Sequence, residues 1–280
     1  MNNVAYADRS ERGKLRVGDE QRAWFLDQIL TQSIQDMKPG EARDAAMITV
    51  HGRMQAFVEI VATESELLAH FEPELRDFLP DAWRAYVFAT RVTLEDVTDA
   101  MGLLLLVGED WQKAVRDVGA ATTLHPTSSL GTAAGYVWLP RAGVARAIDE
   151  LEAQGVVGIT EEKLEALRIA NGIARWGRDM DTKTFPQEAG IDERAVHYEK
   201  GCYLGQEAMA KIHFRGKVNR RLAALEGAGS LQPGAEIVAD DQKVGSVTSS
   251  ANGRALAMVR RAIEVGTEVR AGDVPATIVS

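Results

Sequence analysis

The chain has 280 residues, 45% of them hydrophobic and 26% charged, and a net charge of −9. These values belong to an ordinary globular protein large enough for about two domains, and they exclude a broad cationic surface for coating duplex nucleic acid. A single cysteine excludes an internal disulfide and points to a reducing cytoplasm. No apolar run reaches the roughly 20 residues that span a bilayer, and the N-terminus lacks the charged start and apolar core of a secretory signal.

Residues 1 to about 13 are polar and are expected to be loose. Lys14 to Asp19 alternates like a short strand, and Glu20 to Gln32 places Trp24, Phe25, Ile29 and Leu30 at helical spacing. Ala45–Val50 and Met54–Val61 read as a hairpin around His51-Gly52-Arg53. Glu64 to Phe78 reads as a helix with Leu67, Leu68, Phe71 and Leu75 on one stripe. Tyr86–Val97 and Leu103–Val107 read as strands, Asp110–Val118 as a helix and Thr122–Thr132 as a polar loop. Gly135–Pro140 is a further strand. Arg141–Gln154 is a helix closed by Gly155, and Thr160 is positioned to cap the next one. From about 218 the texture changes to six short apolar stretches separated by Gly-, Asp- and Asn-containing turns, the pattern of a small antiparallel barrel. The fold class is therefore α+β, with residues 14–217 forming two subdomains (boundary near 110–135) and residues 218–280 a C-terminal β-barrel.

Lys200-Gly-Cys-Tyr-Leu-Gly-Gln-Glu207 contains the only cysteine. Cys202 is either a small packed hydrophobe or a reactive or ligand thiol, and a thiolate needs cationic help that Lys200 is close enough in sequence to give. Between Lys200 and Arg221 there are six basic residues and one acid, so the rest of the chain sums to −14. Such an island suggests a local anion site at a domain junction. The chain has no P-loop, no HExxH and no CxxC pair, and its five histidines show no metal-ligand spacing, so no metal site is expected.

The run Arg168-Ile-Ala-Asn-Gly-Ile-Ala-Arg-Trp-Gly-Arg-Asp-Met-Asp181, then Phe185-Pro-Gln-Glu-Ala-Gly190, the cysteine octapeptide, Lys211-Ile-His-Phe-Arg-Gly216 and Asn219-Arg-Arg221 resembles the YgfZ-type folate-binding proteins. These are relatives of the aminomethyltransferase, or T-protein, of the glycine cleavage system, and K-G-C-Y-x-G-Q-E is their signature. The resemblance is densest from about 165 to 221. It extends into the barrel at Val244-Gly-Ser-Val-Thr-Ser249 and into the first 100 residues at Lys38-Pro-Gly40 and Gly52-Arg53.

The resemblance implies two α+β domains and a barrel around a central channel that binds tetrahydrofolate or a one-carbon derivative. It implies Glu188 as the pterin contact, since a carboxylate can accept two adjacent pterin N–H groups. Arg215 is the expected anion contact, Tyr203, Gln206 and Glu207 further candidates for the site, and Cys202 a functional thiol with Lys200 as its activator. Where the T-protein has an acid for proton transfer, this chain has Gln55 and Ala56, and glutamine is no general acid or base. The implied role is that of a cytoplasmic accessory factor for iron–sulfur enzyme maturation or repair. Its partners would be folate and iron–sulfur proteins or cluster-assembly factors, with an indirect effect on tRNA modification and no direct nucleic-acid or membrane binding. The alternatives are a folate-dependent one-carbon transferase or demethylase, and an interaction scaffold that has lost folate.

Overall fold

The computed structural model describes residues 4–116, 118–119, 121–216 and 218–280, and at Arg215 the backbone only. The chain opens with β1 (Ala5–Asp8), β2 (Gly13–Gly18), α1 (Arg22–Ile29), β3 (Ala42–Ile48), β4 (Met54–Ala62), β5 (Leu67–Phe71), α2 (Leu79–Arg84) and β6 (Thr93–Asp96). There follow β7 (Met101–Val107), α3 (Trp111–Val115), β8 (Thr123–Pro126), β9 (Ala134–Pro140), α4 (Val144–Ala153), β10 (Val157–Gly158) and α5 (Glu161–Ala170). Two short helices, α6 (Asp192–Ala195) and α7 (Gln206–Arg215), lead to β11 (Arg220–Gly227). The chain ends with β12 (Glu236–Ala239), β13 (Gln242–Ala251), β14 (Arg254–Arg260), β15 (Glu268–Ala271) and β16 (Val274–Ile278).

One five-stranded sheet has the order β3-β4-β5-β2-β6 and the other β10-β1-β7-β9-β8. The chain passes from one sheet to the other between β1 and β2 and back again between β6 and β7. All pairings in both sheets are antiparallel except β1 with β10. Alternation along the strands assigns the faces. Leu103 and Leu105 of β7 join Tyr136 and Trp138 of β9, Val61 of β4 and Leu68 of β5 in one core, so the two sheets pack face to face. Leu104 and Leu106 turn outward onto α3 and α4. Ile60, Ala69 and Phe71 turn outward onto α1, α2 and the 174–209 segment. The six C-terminal strands close into a barrel in the order β11-β14-β13-β12-β15-β16, with small residues such as Ala223, Ala255 and Ala257 filling its narrow interior.

Four expectations fail locally. Leu67–Phe71 is a strand, not part of a helix, because all five of its residues are buried between β4 and β2. A strand covered on both faces reads as a continuous apolar run, and Pro73 stops it with a single 3₁₀ turn. Residues Ala5–Asp8, expected to be loose, are held by β7 and β10. Thr123–Pro126, read as loop, pairs with the edge of β9. Of Tyr86–Val97 only Thr93–Asp96 forms a strand.

The interface between the sheets is not apolar throughout. Asp44, Glu59, His70 and Lys14 are directly opposite one another on β3, β4, β5 and β2, a titratable row on the inner face. Beside it runs a chain of ion pairs. Arg12 meets Glu72, Glu72 meets Arg175 (2.9 Å), and Arg175 meets Glu165 (2.9 Å). Glu165 meets Arg168, and Arg168 meets Asp179 (2.7 Å). Asp179 accepts from Ser249 (2.7 Å) and Thr248 (2.5 Å) of β13. The end of β5, α5 and the barrel are thereby tied to one another. The cavity at this meeting point is ≈ 40 Å³, lined by Arg12, Glu59, Glu72, Tyr136 and Arg175 among others, too small for a pterin.

Burial sets the protonation of the row. It pushes the Glu59 carboxyl up to about 7, with the Asp44 charge adding and Arg12 opposing. It lowers His125, which faces His70 from the other sheet, to about 4, and holds His70 well below its ordinary value. Below pH 6.5 both imidazoles are protonated in the unfolded chain and neutral in the folded one, whereas Glu59 is protonated only in the folded protein between pH 7 and 4.5. Stability should therefore fall on acidification from pH 6.5 to 4.5 with a net slope of one proton, about 1.4 kcal/mol per pH unit. Glu59→Gln removes the opposing proton and should roughly double that slope in denaturant titrations across the window; an unchanged slope would mean that Glu59 is ionised in the fold.

Candidate functional site

The cysteine loop is organised by the end of α1, whose last carbonyls have no partner within the helix. Lys200 Nζ donates to the carbonyls of Asp27 (2.6 Å), Leu30 (2.9 Å) and Gln32 (2.7 Å), and Leu204 N–H donates to the carbonyl of Gln28 (3.1 Å). A cation there also suits the negative end of the helix dipole. Lys200 is buried, with the Asp27 carboxylate 3.6 Å away and the Tyr203 ring centre 4.9 Å away. Burial lowers its ammonium to about 8 against the opposing pull of Asp27. All three of its N–H donors are taken, so Lys200 does not donate to the thiol: its role in this fold is to close α1.

Cys202 is exposed. It lines a groove of ≈ 450 Å³ with Trp24, Phe25, Ile29, Tyr86, Phe88 and Tyr203, and Phe88 is 77% exposed. The loop ends at Gly205, which has φ +84° and starts α7. A Cβ there would lie 2.4 Å from the carbonyl oxygen of Thr49, so only glycine fits. Gly201 has neither constraint. Gln206 closes the loop by donating to the carbonyl of Lys200 (3.3 Å). Glu207 is exposed in the first turn of α7. Arg215, the expected anion contact, ends that helix, and its side chain lies outside the described part of the structure.

Glu188 is elsewhere. The first turns of α7 pack between the β3–β4 turn and the 185–187 segment: a Cβ on Gly52 would meet Ala208 at 3.3 Å and Phe185 at 3.5 Å, and Gln187 contacts Met209. Glu188 follows, its carboxylate only 5% exposed. It accepts from Phe185 N–H (3.1 Å) and from both Nε (3.0 Å) and Nη2 (2.8 Å) of Arg220. Its carbonyl accepts from Leu222 N–H of β11 (2.7 Å). Arg220 and Arg53 both donate to the carbonyl of Lys183, and Arg53 stacks on Phe185, 4.6 Å from guanidinium to ring centre. The hairpin tip, the 183–188 segment and the first barrel strand thus converge on one buried carboxylate, with the guanidinium groups of Arg53 and Arg220 meeting at the Lys183 carbonyl beside it. Gln55 and Ala56 follow within the same turn-and-strand, where Met54 N–H bonds to Thr184 O (2.9 Å), and they supply no carboxylate.

The groove at Cys202 does not include Glu188, so the thiol and the carboxylate occupy different surfaces on either side of α7. Reading the sequence singled out Glu188 but not its partner Arg220, nor Arg53 and Phe185. The basic island was the available signal for Arg220, whose neighbourhood to Glu188 spans 32 residues. Among the described residues no group of three or more His, Cys, Asp or Glu side chains could hold a metal ion, and no helix is long and apolar enough to cross a membrane.

Residues 219–280 match the family described as CAF17, C-terminal beta-barrel domain. Over its full length the chain is 25% identical to a chloroplastic transferase-like protein of Arabidopsis thaliana, covering 71% of that protein. It is 23% identical to an aminomethyltransferase of Listeria monocytogenes (95% of this chain, 81% of the relative) and 26% identical to one of Synechococcus elongatus (97% and 82%). The glycine cleavage system aminomethyltransferase T of Bartonella henselae superposes with a TM-score of 0.88 at 17% identity, over 99% of this chain and 85% of that one. The chain therefore has the aminomethyltransferase fold, with aminomethyltransferases among its relatives and a CAF17-type barrel at its C-terminal end.

Lys200→Met removes the cap of α1 and should destabilise the protein by about 2–4 kcal/mol in chemical denaturation. Alkylation of Cys202 by iodoacetamide near neutral pH should stay within about 2-fold of wild type, because thiol reactivity follows local cations and this one is turned to carbonyls. A large loss of alkylation rate with unchanged stability would restore the activator role.

Proposed function

We propose that this protein binds tetrahydrofolate, or a one-carbon derivative of it, at the Glu188 site, and acts in the cytoplasm as an accessory factor for maturation or repair of iron–sulfur enzymes. Through those enzymes it would support tRNA modification. The observation that carries the folate reading is the Glu188 carboxylate itself, buried and aligned by Phe185 N–H and Arg220 within a basic rim. A reduced pterin presents adjacent N–H donors along one edge, which suit two carboxylate oxygens in parallel. Both oxygens already accept from Arg220, whose side chain is 42% exposed against 5% for Glu188. Ligand entry therefore requires Arg220 to swing outward, which its exposure permits, and there it joins Arg53 in facing the anionic end of the ligand.

Two features favour an accessory role over turnover. The strand that follows the hairpin tip carries Gln55 and Ala56, so that position supplies no acid to move a proton during one-carbon transfer. The exposed thiol stands in an aromatic groove, where a partner protein can reach it. Domain limits of 14–217 and 218–280 fit this reading, with the ligand held where β11 leaves the folate-binding region.

Titration calorimetry with tetrahydrofolate should give saturable binding that Glu188→Ala weakens by at least about 10-fold, the value of a lost charge-assisted pair. Cys202→Ser should keep folate affinity within about 3-fold yet fail to restore cluster-enzyme activity in cells lacking the protein. Equal affinity in the Glu188 variant would remove this site from folate binding. Full rescue by the serine variant would remove the thiol from the role, and turnover of methylamine donors with bound folate would favour a one-carbon transferase.

A further inference from the structure

Between the two sheets, three buried ring nitrogens have no hydrogen-bond partner among the described residues: His70 Nε2, His125 Nε2 and Trp138 Nε1. All three side chains are 1% exposed or less. An unpartnered buried polar atom is costly, and three in one neighbourhood call for an explanation. They come from both sheets: His70 from β5, His125 from β8 and Trp138 from β9. The His70 ring centre lies 5.4 Å from that of His125 and 5.8 Å from that of Trp138, so the three rings meet at one place between the sheets.

The hydrogen bonds on the opposite ring nitrogens fix both tautomers. Arg12 Nε–H donates to His70 Nδ1 at 3.0 Å, and a guanidinium cannot accept. His70 therefore carries its proton on Nε2 and can only donate there. His125 Nδ1 lies 3.0 Å from the carbonyl oxygen of Pro126, which can only accept, so His125 carries its proton on Nδ1 and presents a lone pair at Nε2. Trp138 Nε1–H is a donor only. The three nitrogens thus offer two donors and one acceptor.

This combination selects the ligand. A metal ion needs lone pairs, and only His125 has one. A halide would suit the two N–H groups and the nearby Arg12 but would be repelled by the His125 lone pair. A water molecule accepts two hydrogen bonds and donates the third. We propose that one water is bound between the sheets, accepting from His70 Nε2–H and Trp138 Nε1–H and donating to His125 Nε2. It joins β5 to β8 and β9 in an interface also crossed by the hydrogen bonds of Thr127 to Glu59 and of Ser128 to Asp44 (2.8 Å). Its place extends the row Asp44–Glu59–His70–Lys14 across to the second sheet.

A crystal structure at about 1.2 Å resolution should place one oxygen peak about 2.8–3.2 Å from all three nitrogens. In the same protein, ¹⁵N spectra at neutral pH should report His70 protonated only at Nε2 and His125 only at Nδ1, with a cross-peak from the His70 Nε2 proton to a slowly exchanging water. A direct Nε2-to-Nε2 bond, the same tautomer on both rings, an anomalous peak of chloride, or no density among the three nitrogens would each overturn the proposal.

Discussion

The arrangement of this molecule depends on one run of alternating charges, buried at Arg12, Glu72, Arg168 and Asp179 and half-buried at Arg175 and Glu165, ending on Thr248 and Ser249 of the barrel. Each charge has opposite charges on both sides or hydroxyl donors at the end, which is the condition under which buried ions are tolerated. Burial works to raise the Glu72 carboxyl, yet Arg12 and Arg175 overcome it and hold it down to about 2. Removing any one member would leave its neighbours charged in a site with little room for water. The barrel is therefore docked on the paired sheets by specific electrostatics, and everything that lies at that seam inherits its position from the run.

Glu188 is one such inheritor. Nine residues after Asp179, it is tied to β11 twice, by its carbonyl to Leu222 and by its carboxylate to Arg220. Its geometry is thus set by where the barrel's first strand lies. The cysteine loop is positioned by a different device, the closure of α1 by Lys200 and Leu204 and the close approach of Gly205 to Thr49. Helix α7 separates the two, with the carboxylate on the barrel side and the thiol beside the aromatic residues of α1 and the 86–90 segment.

Much of this fold was legible in the sequence. All six barrel strands were marked by turn residues, and Thr160 does cap α5 by accepting from Lys163 N–H. The failures arise where pairing and burial, not local spacing, decide the outcome. Leu67–Phe71 carries helical spacing, yet strands on either side of it supply the hydrogen bonds. Lys200 is two residues from Cys202, but its donors are satisfied by carbonyls more than 160 residues away. Glu188 was legible as a candidate through its motif, whereas its pairing with Arg220 is a consequence of how the barrel docks. The titratable row between the sheets follows from strand register, which no local pattern in Asp44, Glu59, His70 or Lys14 reveals.

The account is tested most directly by soaking crystals of the protein with tetrahydrofolate and refining the position of the pterin. It predicts the pterin edge within hydrogen-bond distance of both Glu188 carboxylate oxygens, with the Arg220 guanidinium turned outward and the Arg12-to-Asp179 ion pairs unchanged. A pterin bound elsewhere with the Glu188–Arg220 pair intact, or an absence of pterin at saturating concentration, would contradict it.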